Sequence, residues 1–137
     1  MKKIAFIVTI ASLISACSSI LLEPGAAMVI SSPNRAPKAC KYLGQVTGNQ
    51  GNFFTGAYTS NRNLEIGAMN DLKNQAYKLG ANYIQIITSR AGISGSMGGG
   101  QGVFGAQNGY VSGHSSQTNI TNVGNAYHCP PKLIGLQ

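Results

Sequence analysis

Residues Leu13-Ile14-Ser15-Ala16-Cys17 decide where the folded part of this chain begins. They follow Lys2, Lys3 and an apolar run from Ile4 to Ile14. A basic start, a short apolar core and a small-residue cleavage site make a secretory signal peptide. The run is too short to span a bilayer, which takes about 20 residues. With residues 1–16 cleaved off, 121 of the 137 residues remain, enough for one modest domain.

Ile14-Ser15-Ala16-Cys17 also has the form of a bacterial lipobox: an aliphatic residue, two small residues and a cysteine. That motif implies diacylglycerol on the Cys17 sulfur, cleavage before Cys17 and acylation, typically with palmitate, of the new amine. Ser18, in place of Asp, is the enterobacterial sorting signal for the outer membrane. Residues 17–25 then read as a lipidated N-terminus and short tether, with the domain on the periplasmic side and anchored through Cys17. Cys17 accounts for one of three cysteines. Cys40 and Cys129 remain in a compartment that permits disulfides, and they allow a single intramolecular pairing. Closing so long a loop is worth on the order of 4–5 kcal/mol in the chain-entropy model. Free thiols and an intermolecular bond are the alternatives.

Without residues 1–16, eight Lys and Arg face three acids, Glu23, Glu65 and Asp71, a net charge of +5. The sign favours anionic headgroups or an acidic polymer. The basic residues are scattered, and neither their spacing nor an exported location suits a nucleic-acid partner.

Along residues 26–137 the pattern predicts one α+β domain. Ala26 to Ile30 is an apolar candidate strand, and the proline-containing stretch 31–37 breaks regular structure. Cys40 to Thr47 reads as a strand with Cys40, Tyr42, Gly44 and Val46 on one face. Residues 48–63 read as loop, with Phe53, Phe54 and Tyr58 either pinning it to the core, the favoured reading, or forming a contact surface. Leu64 to Leu79 is the helix: Ile66, Met69, Leu72, Ala76 and Leu79 share one face, Lys73, Asn74 and Lys78 fall mostly outside, Asn61 or Asn63 caps the start and Gly80 stops it. Ala81 to Thr88 is a β-branched and aromatic strand. Residues 89–117 form a flexible Gly-rich hairpin loop, too poor in apolar area to offset its ordering entropy; residues 91–117 in particular are expected to form no stable element and to be dispensable for folding. Thr118 to Cys129 is the last strand, and the tail to Gln137 is loose. A right-handed crossover makes the two strands flanking the helix parallel. The last strand runs antiparallel to its predecessor, either between them or beside the first. Both arrangements bring Cys40 to Cys129. The expected fold is one helix on a three- or four-stranded mixed sheet.

Several stretches together resemble a family: Cys40-Lys-Tyr-Leu-Gly-Gln-Val-Thr-Gly48, Met69-Asn-Asp-Leu-Lys-Asn-Gln-Ala76, Leu79-Gly-Ala-Asn-Tyr-Ile84 and Ala126-Tyr-His-Cys-Pro130. With the lipobox, they look like the small Gram-negative lipoproteins of the domain-of-unknown-function family 4156. They are more distantly similar to the Rcs envelope-stress sensor lipoprotein. The resemblance covers most of residues 38–130 outside the glycine loop. It implies an outer-membrane lipoprotein with no assigned catalytic residues. The chain departs from the sensor in having two cysteines in its mature domain and no long proline-rich, charged tether.

Chemistry-bearing motifs are weak. Gly100-Gln-Gly-Val-Phe-Gly105 matches GxGxxG, but no helix and no acid follow it. His114 lies in the glycine loop and His128 beside Cys129; the cysteine–histidine spacing fits no zinc site. Glu65 and Asp71, six residues apart, fall on different faces of the helix, so paired-carboxylate catalysis and a hydrolytic triad are not expected. Asn119-Ile-Thr121 is a glycosylation sequon with no general meaning in a bacterium. The expectation is a non-catalytic lipoprotein with no metal or cofactor, acting through envelope protein contacts. The alternatives are a subunit of a large envelope assembly, such as a secretion-system outer-membrane complex, and an envelope-stress sensor.

Overall fold

The structure, a computed structural model, describes residues 18–52, 55–96 and 114–136. Cys17, Phe53, Phe54 and the GxGxxG tract lie outside the described residues. One helix packs on a four-stranded mixed sheet. The strands are β1 (Ile30–Ser32), β2 (Lys41–Gln50), β3 (Tyr83–Ser96) and β4 (His114–His128), and the helix is α1 (Asn61–Lys78). Their order across the sheet is β1-β3-β4-β2. β4 is antiparallel to both β2 and β3, so it fills the gap left by the β2-α1-β3 crossover. β1 is a parallel edge strand on β3.

The helix is fixed at both ends by its own sequence. Ser60 is the N-cap, its Oγ accepting from the Asn63 N–H at 3.2 Å. Asn61 and Asn63, the expected caps, sit inside the first turn. At the other end Gly80, at φ +79°, lets Ala81 N–H donate to Ala76 O and Gly80 N–H to Tyr77 O, a Schellman stop. The buried stripe is Leu64, Ala68, Leu72 and Ala76, spaced by four. The expected face is therefore rotated: Met69 packs at the edge of the core, whereas Ile66 and Leu79 are 40% and 48% exposed. The main core joins Leu72 and Ala76 to Val29, Val46, Ala81, Ile84 and Ala126. Leu64, Ala68 and Ile120 form a second cluster under the first half of the helix.

Small residues let the helix lie on β2 and β4. A Cβ on Gly48 would stand 2.2 Å from Leu72 N and 2.4 Å from Ala68 O, so the α1 backbone itself occupies that space. Gly124 on β4 instead leaves room for the side chain of Ile84 on the neighbouring strand β3.

Several local expectations are corrected. The apolar stretch before β1 is a 3-10 turn, Pro24–Met28, and the strand starts at Ile30. In β2 the register shifts between Tyr42 and Gly44. This bulge turns Tyr42 away from the Gly44–Val46–Gly48 face. Tyr42 instead pairs with Tyr127 on the opposite face, the rings meeting edge-on at 5.5 Å. β2 runs to Gln50 and α1 begins at Asn61, which shortens the loop expected over 48–63. Tyr58, in a 3-10 turn, is 82% exposed and does not pin that loop. β3 and β4 extend well into the tract read as loop 89–117: Ser89 pairs with Asn122, Ala91 with Ile120 and Ser96 with His114. Backbone pairing carries this extension where apolar area cannot, so residues 91–96 and 114–117 are strand. The tail makes a 3-10 turn, Pro131–Ile134, closed by Gly135 at φ +78°.

Gly48→Ala is expected to lower stability by about 1–3 kcal/mol or more, because the atoms it meets are backbone and cannot rotate aside. Gly80→Ala has open space and only its left-handed backbone to resist it, so about 1–2 kcal/mol is expected. Urea unfolding of both variants checks the ranking.

Candidate functional site

The residues that follow Cys17 are built into the fold. Asn70 and Asn74 face outward from α1, and Gln50 reaches them from the end of β2, past Gly67. A Cβ on Gly67 would meet the Gln50 amide 2.1 Å away, so the glycine is what lets Gln50 pass. Gln50 Oε1 accepts from Ile20 N–H at 2.9 Å, and Gln50 Nε2 lies 3.4 Å from Ser18 O. Asn70 Nδ2 donates to Ile20 O at 2.7 Å. Asn74 grips the next residues with both ends of its amide: Nδ2 donates to Leu21 O and Oδ1 accepts from Glu23 N–H, each at 2.9 Å. Asn74 is only 6% exposed. Burying an amide costs free energy unless both of its functions are bonded, and here they are. Lys78 Nζ adds a surface ion pair to Glu23 at 3.3 Å, and the Tyr77 ring packs over Gly25. Residues 18–23, within the stretch 17–25 read as a tether, therefore lie as a strap bound along α1. Asn74, placed by periodicity among the outward residues, is covered by that strap.

The cysteines meet at the opposite end of the sheet. Cys40 and Cys129 are joined, with an S–S distance of 2.09 Å across 89 residues of sequence, and Cys129 is fully buried. Asn82, before β3, secures the same corner: its Oδ1 accepts from Cys129 N–H and its Nδ2 donates to Cys129 O, both at 2.7 Å. His128 Nδ1 lies 3.0 Å from Gly80 O.

The acids are dispersed. Glu23 belongs to the strap. Asp71 accepts from Asn49 N–H at 2.9 Å and from Gln75 Nε2 at 3.3 Å. Glu65 lines a groove of about 340 Å³ between α1 and the β3–β4 ribbon, with Met69, Ser89, Gln117, Ile120 and Asn122. Gln117 Nε2 and Asn122 Oδ1 are buried there with no protein partner, and Asn122 is 3% exposed. Neither amide was singled out in the sequence, since an Asn or Gln in a polar strand carries no spacing signal. Among the described residues no group of three or more His, Cys, Asp or Glu is placed to hold a metal ion, and no helix is long and apolar enough to cross a membrane.

Comparison with known proteins returns the DUF4156 family model, a domain of unknown function, over residues 21–129. The chain is 36% identical over 89 residues to the uncharacterized protein YjeI of Escherichia coli strain K12, covering 64% of this chain and 76% of that protein. The Shigella flexneri protein of the same name matches to the same extent. No solved structure gives a significant match.

Asn74→Ala is expected to cost about 1–3 kcal/mol, because Leu21 O and Glu23 N–H lose their partner in a half-buried setting. Hydrogen exchange should rise at residues 20–23 well before β3 and β4 respond. Separately, non-reducing peptide mapping is expected to recover Cys40 and Cys129 as one linked pair; two free thiols would contradict it.

Proposed function

Since the chain belongs to the DUF4156 family, a domain of unknown function, its role has to be read from its own residues, and we propose that it is a non-catalytic outer-membrane lipoprotein, anchored through Cys17, that acts by contact with other envelope proteins. The observation that carries this reading is the strap. The residues directly after the lipobox cysteine are hydrogen-bonded to α1 and β2, so a lipid on Cys17 holds the domain itself. The non-catalytic part of the proposal is supported by the dispersal of the acids: Glu23 and Asp71 make structural contacts, and Glu65 lines a separate groove. Membership of a large envelope assembly and a sensor role are narrower forms of the same contact function. Purification from solubilised membranes separates them, because a stoichiometric multi-protein complex favours the assembly.

A second reading, binding of a small polar ligand, is favoured by the groove beside α1. Gln117 offers a donor and Asn122 an acceptor, the complement of an amide group, and each unpaired buried group costs about 1–3 kcal/mol until it is met. Asn122→Leu separates the readings. If the groove is only structural, the variant is expected to be as stable as the parent or more so and to keep its envelope contacts.

Cys17→Ala is expected to release the protein from the membrane fraction or leave an uncleaved precursor. Intact-mass measurement checks it, and a mature-sized, acylated variant would refute the anchor.

A further inference from the structure

We infer that the protein rides flush on its membrane, with Leu21 and the outer face of α1 turned to the lipid headgroups; this rests on the reading of Cys17 as the acylated residue. Only Ser18 and Ser19 separate Cys17 from Ile20, whose N–H and C=O are both fastened, to Gln50 and Asn70. Three residues of fully extended chain reach at most about 10 Å. Each headgroup layer is itself about 5–8 Å deep. An anchor in that layer therefore keeps Ile20 within or just above it, and the domain has no slack with which to turn away.

The strap also decides which surface faces down. Residues 18–23 lie along α1, so the helix flank beside them is the part of the domain next to the anchor. Ile66, Asn70, Lys73 and Tyr77 recur at helical spacing and form one stripe there. Leu21 is 83% exposed, Tyr77 46% and Ile66 40%, so apolar area stands open on this side. Lys73, and Arg62 one turn before Ile66, supply positive charge for phosphate oxygens. An apolar and aromatic face with basic residues is the surface that settles into the headgroup boundary. The occupant is thus a phospholipid surface. Partners must then be met on the exposed sheet face or on the β3–β4 ribbon, close to the bilayer.

The chain contains no tryptophan, which makes the test direct. The full chain is expressed, purified in its acylated form and reconstituted into phosphatidylethanolamine–phosphatidylglycerol vesicles with brominated acyl chains. Leu21→Trp places a single fluorophore beside the anchor. Tyr42→Trp places one on the opposite sheet face, where Tyr42 is 54% exposed. Peptide mapping of the Cys40–Cys129 pair verifies that each variant is folded. Quenching several-fold stronger at position 21 than at position 42 supports the inference. A Gly-Ser insertion of about 12 residues between Cys17 and Ser18, spanning about 20 Å, is expected to reduce quenching at 21 towards that at 42. Equal, weak quenching at both positions in acylated, vesicle-bound protein would overturn the flush orientation while leaving the anchor intact. Absence of the acyl mass on Cys17 would overturn the anchor, and the orientation with it.

Discussion

The distance between helix and sheet is set at Gly48. With no side chain there, the α1 backbone rests on β2 at Leu72 N and Ala68 O, closer than any larger residue allows. This contact sets the height of α1 at its middle. Leu64 and Ala68 then reach Ile120, and Leu72 and Ala76 reach Ile84 and Ala126, without long side chains to bridge a gap. It also brings Gln50, two residues further along β2, level with Gly67, where a second missing Cβ lets its amide pass to the outer side of the helix. The strap depends on that passage. Helix–sheet packing and capture of the N-terminal segment therefore follow from one close approach.

The layers of this fold were legible in the sequence because each rests on a periodic or terminating signal. The helix has its apolar repeat and Gly80. The crossover and the hairpin connection restrict where the last strand can lie, and the cysteine spacing then suits that arrangement. What was not legible depends on partners distant in sequence. The face of β2 switches at a bulge opposite Ala126, and strict alternation from Cys40 to Val46 has no means of anticipating an inserted residue. The ribbon extends to Ser96 because backbone groups pair with backbone groups, and such pairing does not require apolar side chains. Glycine and serine there conceal a strand that composition assigns to loop. Asn74 is the clearest case: a polar residue at an outward position of a helix reads as solvated, unless something unforeseen lies on top of it.

Two asparagines carry the same device. The side-chain amide of Asn or Gln holds a donor and an acceptor side by side, as a peptide group does. Asn82 uses that pair on both backbone groups of Cys129, and Asn74 uses it on Leu21 and Glu23. Each acts as a one-residue strand partner where the sheet supplies none. Fully satisfied amides of this kind favour one arrangement sharply, since a shift of one residue in either partner leaves two buried groups unmet. Asn122 and Gln117 carry the same chemistry with one atom each unmet, and so stand out among the described residues.

These fastenings divide the molecule into two ends. The disulfide and Asn82 close the end where β2 begins and β4 finishes. The strap meets the fold at Gln50, where β2 finishes, about 30 Å away at the rise of an extended strand. Gln50 pairs with Ile120, and beyond that pair the β3–β4 ribbon continues alone. The start of the strap and the projecting ribbon therefore share one end of the sheet, while the strap runs on along α1 to Glu23 and Lys78, towards the end that the covalent bond secures. A pull on the strap enters through Gln50, Asn70 and Asn74, and it runs into β2 and α1, which are packed backbone to backbone at Gly48. The ribbon is joined to that unit mainly through β4. Load applied to the N-terminal segment is therefore passed to the helix–strand pair rather than to the ribbon.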